Sequence, residues 1–270
     1  MKQMSLFEDT EEYEGARRYK SVLTVSLNGK GVLDVDTVKG CQMGLVAYPN
    51  GGCYGECYAC KTAKRYGIDF ATSVSRKLYP STKADIFFSV KKHYATWYRI
   101  GTAGDPSHDW DNTISVCEYL QNTGKTPVII TKHWKELSDF QLMRLKAVSA
   151  VINTSTSGMD TDIEIKHRIG QIKRLSEYGI HSVNRVVTCE YGLSDWAKQA
   201  RDKQDYLLGF ESVIDNPLRA SKNNINVMNG NILLTKKKES VGGGKYVSLH
   251  NKDVYLGTCQ ECPDQCGVQN

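Results

Sequence analysis

The nine cysteines of this 270-residue chain are clustered rather than scattered. Cys53, Cys57 and Cys60 are spaced C-x3-C-x2-C, Cys259, Cys262 and Cys266 are spaced C-x2-C-x3-C, and Cys41, Cys117 and Cys189 stand alone. An odd total does not close a disulfide framework. The chain opens on a polar, acidic stretch over residues 1–10 and holds no uninterrupted apolar run of about 18 residues, so neither a secretory signal nor a membrane span is expected. A cytoplasmic location, no membrane partner and reduced thiols are the resulting expectations, and clustered cysteines in that compartment read as metal ligands. Three thiolates are one short of the four that a structural zinc or an electron-transfer cluster takes. A cubane held by three cysteines keeps one iron open for another ligand. Gly51, Gly52 and Gly55 let the backbone wrap closely around such a cluster, and the helix expected over residues 58–66, stopped by Gly67, starts with amides that can donate to its sulfurs.

The remaining composition is that of a globular protein of one or two domains: 40% apolar and 24% charged residues, with a net charge of +5. It excludes a disordered tail protein, a collagen-like repeat and a mini-protein that needs staples. The charge is local. Between Pro217 and Lys252, Arg219, Lys222, Lys236, Lys237, Lys238, Lys245 and Lys252 stand against a single acid, Glu239. Such a stretch can meet phosphates or an acidic surface, or serve as a solvated loop face.

The elements that must carry these residues alternate. Residues 43–48, 97–102, 127–131, 150–154, 182–188 and 206–214 read as strands. Helices fall between them: Ile114, Cys117 and Leu120 share one face of residues 112–122, and Ser138 with Gln141 forms a capping box before Met143 and Ala147. Ile165, Ile169, Ile172 and Leu175 repeat at helical spacing and end at Gly179, a suitable C-terminal cap. Strand–helix alternation predicts parallel strands joined by right-handed crossovers, with ligands at the strands' carboxyl ends. The segment beyond Asn216 loses the alternation, carries Gly242, Gly243 and Gly244, and reads as an appendage.

With Cys53, Cys57 and Cys60 placed after the first of six such strands, the chain resembles the radical S-adenosylmethionine (radical SAM) superfamily, whose signature is this cysteine spacing in that loop. The resemblance covers roughly residues 40–218, about two-thirds of the chain. It implies an α/β fold, a partial (β/α)6 radical SAM barrel over 37–218, with an N-terminal extension over 1–36 and a small C-terminal metal-binding appendage over 219–270. It also implies a [4Fe-4S] cluster on Cys53, Cys57 and Cys60, with the amino and carboxylate groups of S-adenosylmethionine on the fourth iron. One-electron reduction, from a donor such as flavodoxin or ferredoxin, would then release a 5′-deoxyadenosyl radical that abstracts hydrogen from substrate.

Other positions match the family's site residue by residue. The family's aromatic residue before the third cysteine is replaced by Ala59, so packing against the adenine falls to Tyr58 or to a residue elsewhere. Gly101, Thr102, Ala103, Gly104 and Asp105 occupy the place of its Gly-rich, acid-ending motif for the cofactor's amino group, with Asp where Glu is commoner; a plain Gly-Asp-Pro turn is the alternative. Ser155 and Ser157 fall where the family offers a hydroxyl to the ribose or carboxylate. Arg185 could reach the carboxylate as a bidentate pair or simply face solvent. Cys189, at the end of the fifth strand, is a candidate catalytic hydrogen-atom donor or cluster ligand. Cys117 reads as core, and Cys41 lies at the start of the first strand. Tyr94, Trp97, Tyr98 and Trp110 can stack on a base or pack, and the six histidines have no metal-ligand spacing.

Cys259, Cys262 and Cys266, with Pro263 and Gly267 as turn formers, are expected to hold a second metal centre. An auxiliary iron–sulfur cluster would take Cys41 or Cys189 as fourth ligand or leave an iron open; a zinc knuckle would take His250. The expected function is radical SAM chemistry on a nucleic acid or nucleotide. The alternatives are the same chemistry on a peptide or small metabolite, or a zinc-stabilised binding module without catalysis.

Overall fold

The computed structural model describes residues 17–46, 53–235, 246–259 and 261–268. Lys236, Lys237, Lys238, Glu239 and Lys245 of the basic stretch, and the three consecutive glycines, lie outside them. Seven strands form the central sheet, β1 (Ser26–Leu27), β2 (Leu33–Asp34), β3 (Trp97–Ile100), β4 (Thr126–Thr131), β5 (Val151–Ser157), β6 (His181–Thr188) and β7 (Val213–Pro217), and they lie side by side in chain order. Only the β1–β2 pair is antiparallel; every later pair is parallel. A monotonic parallel order with one crossover hand carries each connection over the same face of the sheet.

The side-chain alternation of the strands agrees. Tyr98, Ile100, Ile129 and Ile152 point to one face and pack against Ile114, Leu120, Leu142, Leu145 and Leu175 from helices α4 (Trp110–Leu120), α5 (Asp139–Ala147) and α6 (Asp162–Glu177), numbered after α1 (Gln42–Val46), α2 (Tyr58–Arg65) and α3 (Lys83–Lys92). Val186 continues this face against Ile165 and Ile169 of α6 and Leu207 of α7 (Asp195–Leu208). Trp97, Val128, Val151, Val183 and Ile214 point the other way and are covered by Val32 and by Cys259, Cys266 and Val268 of the C-terminal segment. On that inner face the same period places Arg99, Asn153, Ser155, Arg185 and Asn216.

Local signals account for the helices. Ser138 and Gln141 close the expected capping box on α5, and Thr161 with Glu164 closes another on α6. Gly67 and Gly179 take φ of +59° and +69° just past α2 and α6, a conformation that stops a helix at little cost only for glycine. Cys117 is buried in the main core, as expected.

Three expectations are corrected. Residues 42–46 form a helical turn, not a strand: Gly40 (φ +81°) breaks the chain, and the Gly44 amide donates to Cys41 Sγ at 3.2 Å, closing a turn that an extended chain could not make. The first parallel strand of the sheet is therefore β2, which lies inside the stretch read as an extension over 1–36. Residues 206–208 finish α7, and the last strand starts only at Val213. Beyond it, Arg219–Ala220 pairs with Tyr246–Val247 and Ile232–Leu233 with Glu190–Tyr191, so the appendage is stitched to the sheet's carboxyl end.

Candidate metal and cofactor site

A cavity of about 500 Å³ opens at the carboxyl ends of the parallel strands. Its wall combines Cys41, Cys53, Cys57 and Tyr58 with Gly101, Thr102, Gly104 and Asp105 of the loop after β3, Lys132 after β4, Ser155 of β5, and Asn216 and Arg219 at and beyond β7. The chain reaches this wall through a tight reversal in which Tyr54 and Gly55 both adopt the left-handed region, φ +59° and +69°. Cys57 is the N-cap of α2, and the amides of Cys60 and Ala59 point at its sulfur, partly offsetting the burial that pushes its thiol up. Burial pushes the Cys53 thiol up to about 11, with the Lys132 ammonium pulling the other way. Cys60 is buried behind them with Cys41 and Phe70. Cys41 and Cys53 converge: a Cβ on Gly44 would stand 2.9 Å from one sulfur and 3.4 Å from the other.

The reversal is fixed from below by a buried charge network. Asp160 Oδ1 accepts from Tyr54 Oη at 2.7 Å and pairs with Lys132 at 3.3 Å, while Oδ2 pairs with Arg168 at 2.5 Å and takes the Ser157 amide at 2.8 Å. Burial alone would raise the Asp160 carboxyl; Lys132, Arg168 and Tyr54 outweigh it and hold the group ionised below the usual carboxylate range. From the appendage, Asn224 donates to Tyr54 O at 2.8 Å, and the Ser221 amide and hydroxyl donate to Glu56 at 2.9 and 3.1 Å. None of these partners carries a spacing signal, since Tyr54 and Asp160 are 106 positions apart.

The loop after β3 is held as closely. Gly101 has φ +97° and a Cβ there would lie 2.1 Å from Ile130 O; a Cβ on Gly104 would meet Val38 O at 2.7 Å. The Thr102 amide donates to Asp36 at 2.7 Å, and Tyr58 Oη donates to Thr102 O at 2.7 Å, so Tyr58 joins α2 to this loop. Ala103 O accepts from the Gly40 amide at 3.0 Å. Asp105 caps the following turn and accepts from the Ser107 amide, the Thr131 hydroxyl and the Lys132 amide at 2.9, 2.7 and 2.7 Å. Its carboxylate therefore locks the loop to the end of β4 while still forming part of the cavity wall. Thr102 Oγ1 is buried with no partner among the described residues, a group left for a ligand.

The other expected site residues divide. Ser155 lines the cavity, whereas Ser157 is buried at the strand end, its hydroxyl on Val187 O at 2.8 Å. Cys189 is fully buried between Tyr191, Tyr54 and α7, outside the cavity wall, with its amide and carbonyl both on Gln204. Arg185 lies below the cavity on the inner face: its guanidinium donates to Asn216 Oδ1 at 2.9 Å and reaches Cys266 Sγ at 3.7 Å. Tyr98 and Trp110 pack in the main core, Trp97 packs on the inner face, and Tyr94 is exposed.

The second triplet sits at the opposite end of the sheet. A Cβ on Gly267 would press on Val183, His181 and Val151, at the amino ends of β6 and β5, and Asn153 Nδ2 donates to Cys266 O at 2.9 Å. Gln265, Cys266 and Gly267 all take positive φ, folding the segment into a compact plug, and the Cys259 amide donates to Lys30 O at 3.1 Å. Cys189 stands six residues beyond Val183, roughly 20 Å along an extended strand, and Cys41 lies in the carboxyl-end cavity. Neither Cys41 nor Cys189 is placed beside the second triplet. Among the described residues, no three His, Cys, Asp or Glu side chains are drawn together as ligands of a single ion. The chain matches no protein-family model, no curated protein and no solved structure.

Proposed function

We propose that this chain is a radical S-adenosylmethionine enzyme, its sheet the wall of a partial (β/α)6 barrel, with Cys53, Cys57 and Cys60 as the ligands of a [4Fe-4S] cluster. The observation that carries the reading is the meeting, in one cavity at the carboxyl ends of parallel strands, of Cys53, Cys57 and the 101–105 loop. The donor set fits the group: soft thiolates, amides aimed at a sulfur from a helix start, and a cation beside Cys53. When bound, the cluster and S-adenosylmethionine supply a one-electron cleavage of the sulfonium and a carbon radical for hydrogen abstraction.

The chain's own residues do the rest. The Tyr54–Gly55 reversal turns Cys53 and Cys57 toward the same space, and the Asp160 network keeps that reversal from relaxing. Gly101 and Gly104 bring bare backbone to the wall, and Thr102 Oγ1 offers an unused hydroxyl for the amino or carboxylate group of the cofactor. Ser155 lies across the cavity as a ribose or carboxylate partner, and Tyr58 as a flank for the adenine. Cys259, Cys262 and Cys266 form a separate thiol site at the amino ends of the strands, proposed to hold an auxiliary iron–sulfur cluster. Iron and sulfide analysis after anaerobic reconstitution tests the assignment: a Cys53/Cys57/Cys60 triple alanine variant must lose one cluster's worth of iron and keep the remainder. Unchanged iron in that variant would sink the reading.

A further inference from the structure

A fourth thiol stands with the first triplet. Cys41 lines the same cavity as Cys53 and Cys57, and it packs in one apolar cluster with Cys57, Cys60 and Phe70. Its sulfur and that of Cys53 flank the bare Cα of Gly44, where a Cβ would stand 2.9 Å from one and 3.4 Å from the other, so only glycine there lets both sulfurs face the same space. Cys41 precedes α1 as Cys57 precedes α2, and each sulfur takes the amide of the residue three positions on, Gly44 for Cys41 and Cys60 for Cys57. Amides aimed at sulfur favour a thiolate, the form that binds iron. The backbone is fixed as well: the Cys41 amide donates to Phe70 O at 2.9 Å, and the Gly40 amide to Ala103 O in the loop after β3 at 3.0 Å. The two other cysteines outside the triplets are placed differently, Cys117 in the main core and Cys189 against Tyr191 and α7.

We infer that Cys41 is the fourth ligand of the first cluster while no S-adenosylmethionine is bound, and that the cofactor displaces it. The inference deepens the proposed function and rests on Cys53, Cys57 and Cys60 holding a [4Fe-4S] cluster. Four thiolates complete such a cluster, whereas three leave one iron to water. On ligation the Cys41 S–H gives its proton to solvent, and an Fe–S bond replaces the bond from iron to water. When the cofactor's amino and carboxylate groups take that iron, the Fe–S bond breaks and the freed thiolate takes a proton from solvent. No electron moves in either step. The Gly44 amide and His108 Nε2, 3.5 Å from Cys41 Sγ, remain as partners for the released sulfur.

The test uses the anaerobically reconstituted full-length chain without reductant, so that turnover does not enter the readings. Equilibrium dialysis with S-adenosylmethionine measures the competition. Where Cys41 caps about nine clusters in ten or more, its removal in Cys41→Ala or Cys41→Ser should tighten cofactor binding about tenfold or more, since only clusters with a free iron bind at full strength. Stoichiometric ferricyanide, added without cofactor, is the second probe: an iron with no thiolate is lost on oxidation, so both variants should give more of the [3Fe-4S] electron paramagnetic resonance signal than wild type. Serine keeps the shape of the side chain with a hydroxyl that ligates iron poorly, and circular dichroism checks that each variant is folded. Cys117→Ala, a thiol of the main core, should change neither reading. Equal cofactor affinity in wild type and both variants, or an equal [3Fe-4S] signal, overturns the inference. Loss of the whole cluster from folded Cys41→Ser also overturns it, because Cys41 would then be a permanent ligand. These outcomes leave the proposed function standing, whereas unchanged iron in the Cys53/Cys57/Cys60 triple alanine variant removes that function and the inference with it.

Discussion

Neutralising Asp160 is the perturbation that most directly loads the frame of the first cysteine triplet. Asp160→Asn keeps the shape of the side chain and one acceptor but leaves the buried Lys132 without its carboxylate and the buried Arg168 with Glu164 alone, at 3.3 Å. Breaking a buried pair by removing one partner costs about 3–5 kcal/mol, because the remaining charge stays desolvated. At about 2 °C per kcal/mol for a chain of this length, the melting temperature should fall by about 6–10 °C. Tyr54→Phe removes the hydrogen bond to the carboxylate and the one Tyr54 accepts from Lys132, but leaves both cations paired with Asp160, so it should cost less, about 1.5–3 kcal/mol. Thermal unfolding followed by circular dichroism reads both, with the exposed Asp195→Asn as a control. A loss below about 2 °C for Asp160→Asn, or a loss in Tyr54→Phe equal to it, would refute the claim that charge in this network fixes the cysteine loop.

Three further outcomes are expected. Gly101→Ala places a methyl 2.1 Å from Ile130 O at φ +97°, so it should destabilise by about 1–3 kcal/mol in urea unfolding; a neutral substitution would mean that the loop after β3 relaxes freely. Glu56→Ala strands the Ser221 amide and hydroxyl, and about 1–3 kcal/mol of lost stability together with faster proteolytic cutting of the appendage is expected; unchanged cutting would mean that this contact does not tether it. Burial lowers His133 from its ordinary 6.5 to about 3, so the folded state holds it neutral. Below pH 6.5 the unfolded chain takes up a proton that the folded chain refuses, and the stability this gives at higher pH is lost as pH falls toward 3. Between pH 6.5 and 4.5 the wild type should lose about 2 kcal/mol more than His133→Asn; equal losses would show that His133 takes up a proton without unfolding.

Much of the frame is legible in the sequence because its signals are local. The Ser138–Gln141 box, the glycines after α2 and α6, and the strand–helix alternation each depend on residues within a few positions of one another. Residues 43–46 read as a strand because a short apolar run has no period long enough to separate strand from helix, and what decides it is the Cys41 sulfur taking the Gly44 amide. Cys53, Cys57 and the 101–105 loop are legible from composition and spacing, whereas the groups that hold them are not. Asp160, Lys132, Glu56 and Ser221 become partners only through the topology. Arg219, counted in the sequence as one charge of a basic stretch, turns inward to the cavity, while Lys222 stays exposed over the Tyr246 ring. That the two cysteine triplets occupy opposite ends of the sheet has no sequence signal at all; it follows from the C-terminal segment running back along the inner face to the amino ends of β5 and β6.

The central claim is that Cys53, Cys57 and Cys60 carry a cluster that reductively cleaves S-adenosylmethionine. It is tested most directly by mass-spectrometric detection of 5′-deoxyadenosine after anaerobic reconstitution, addition of S-adenosylmethionine and reduction. Wild type should form the product and Cys57→Ala should not. A wild-type protein with its full complement of iron and sulfide that releases no 5′-deoxyadenosine would contradict the account.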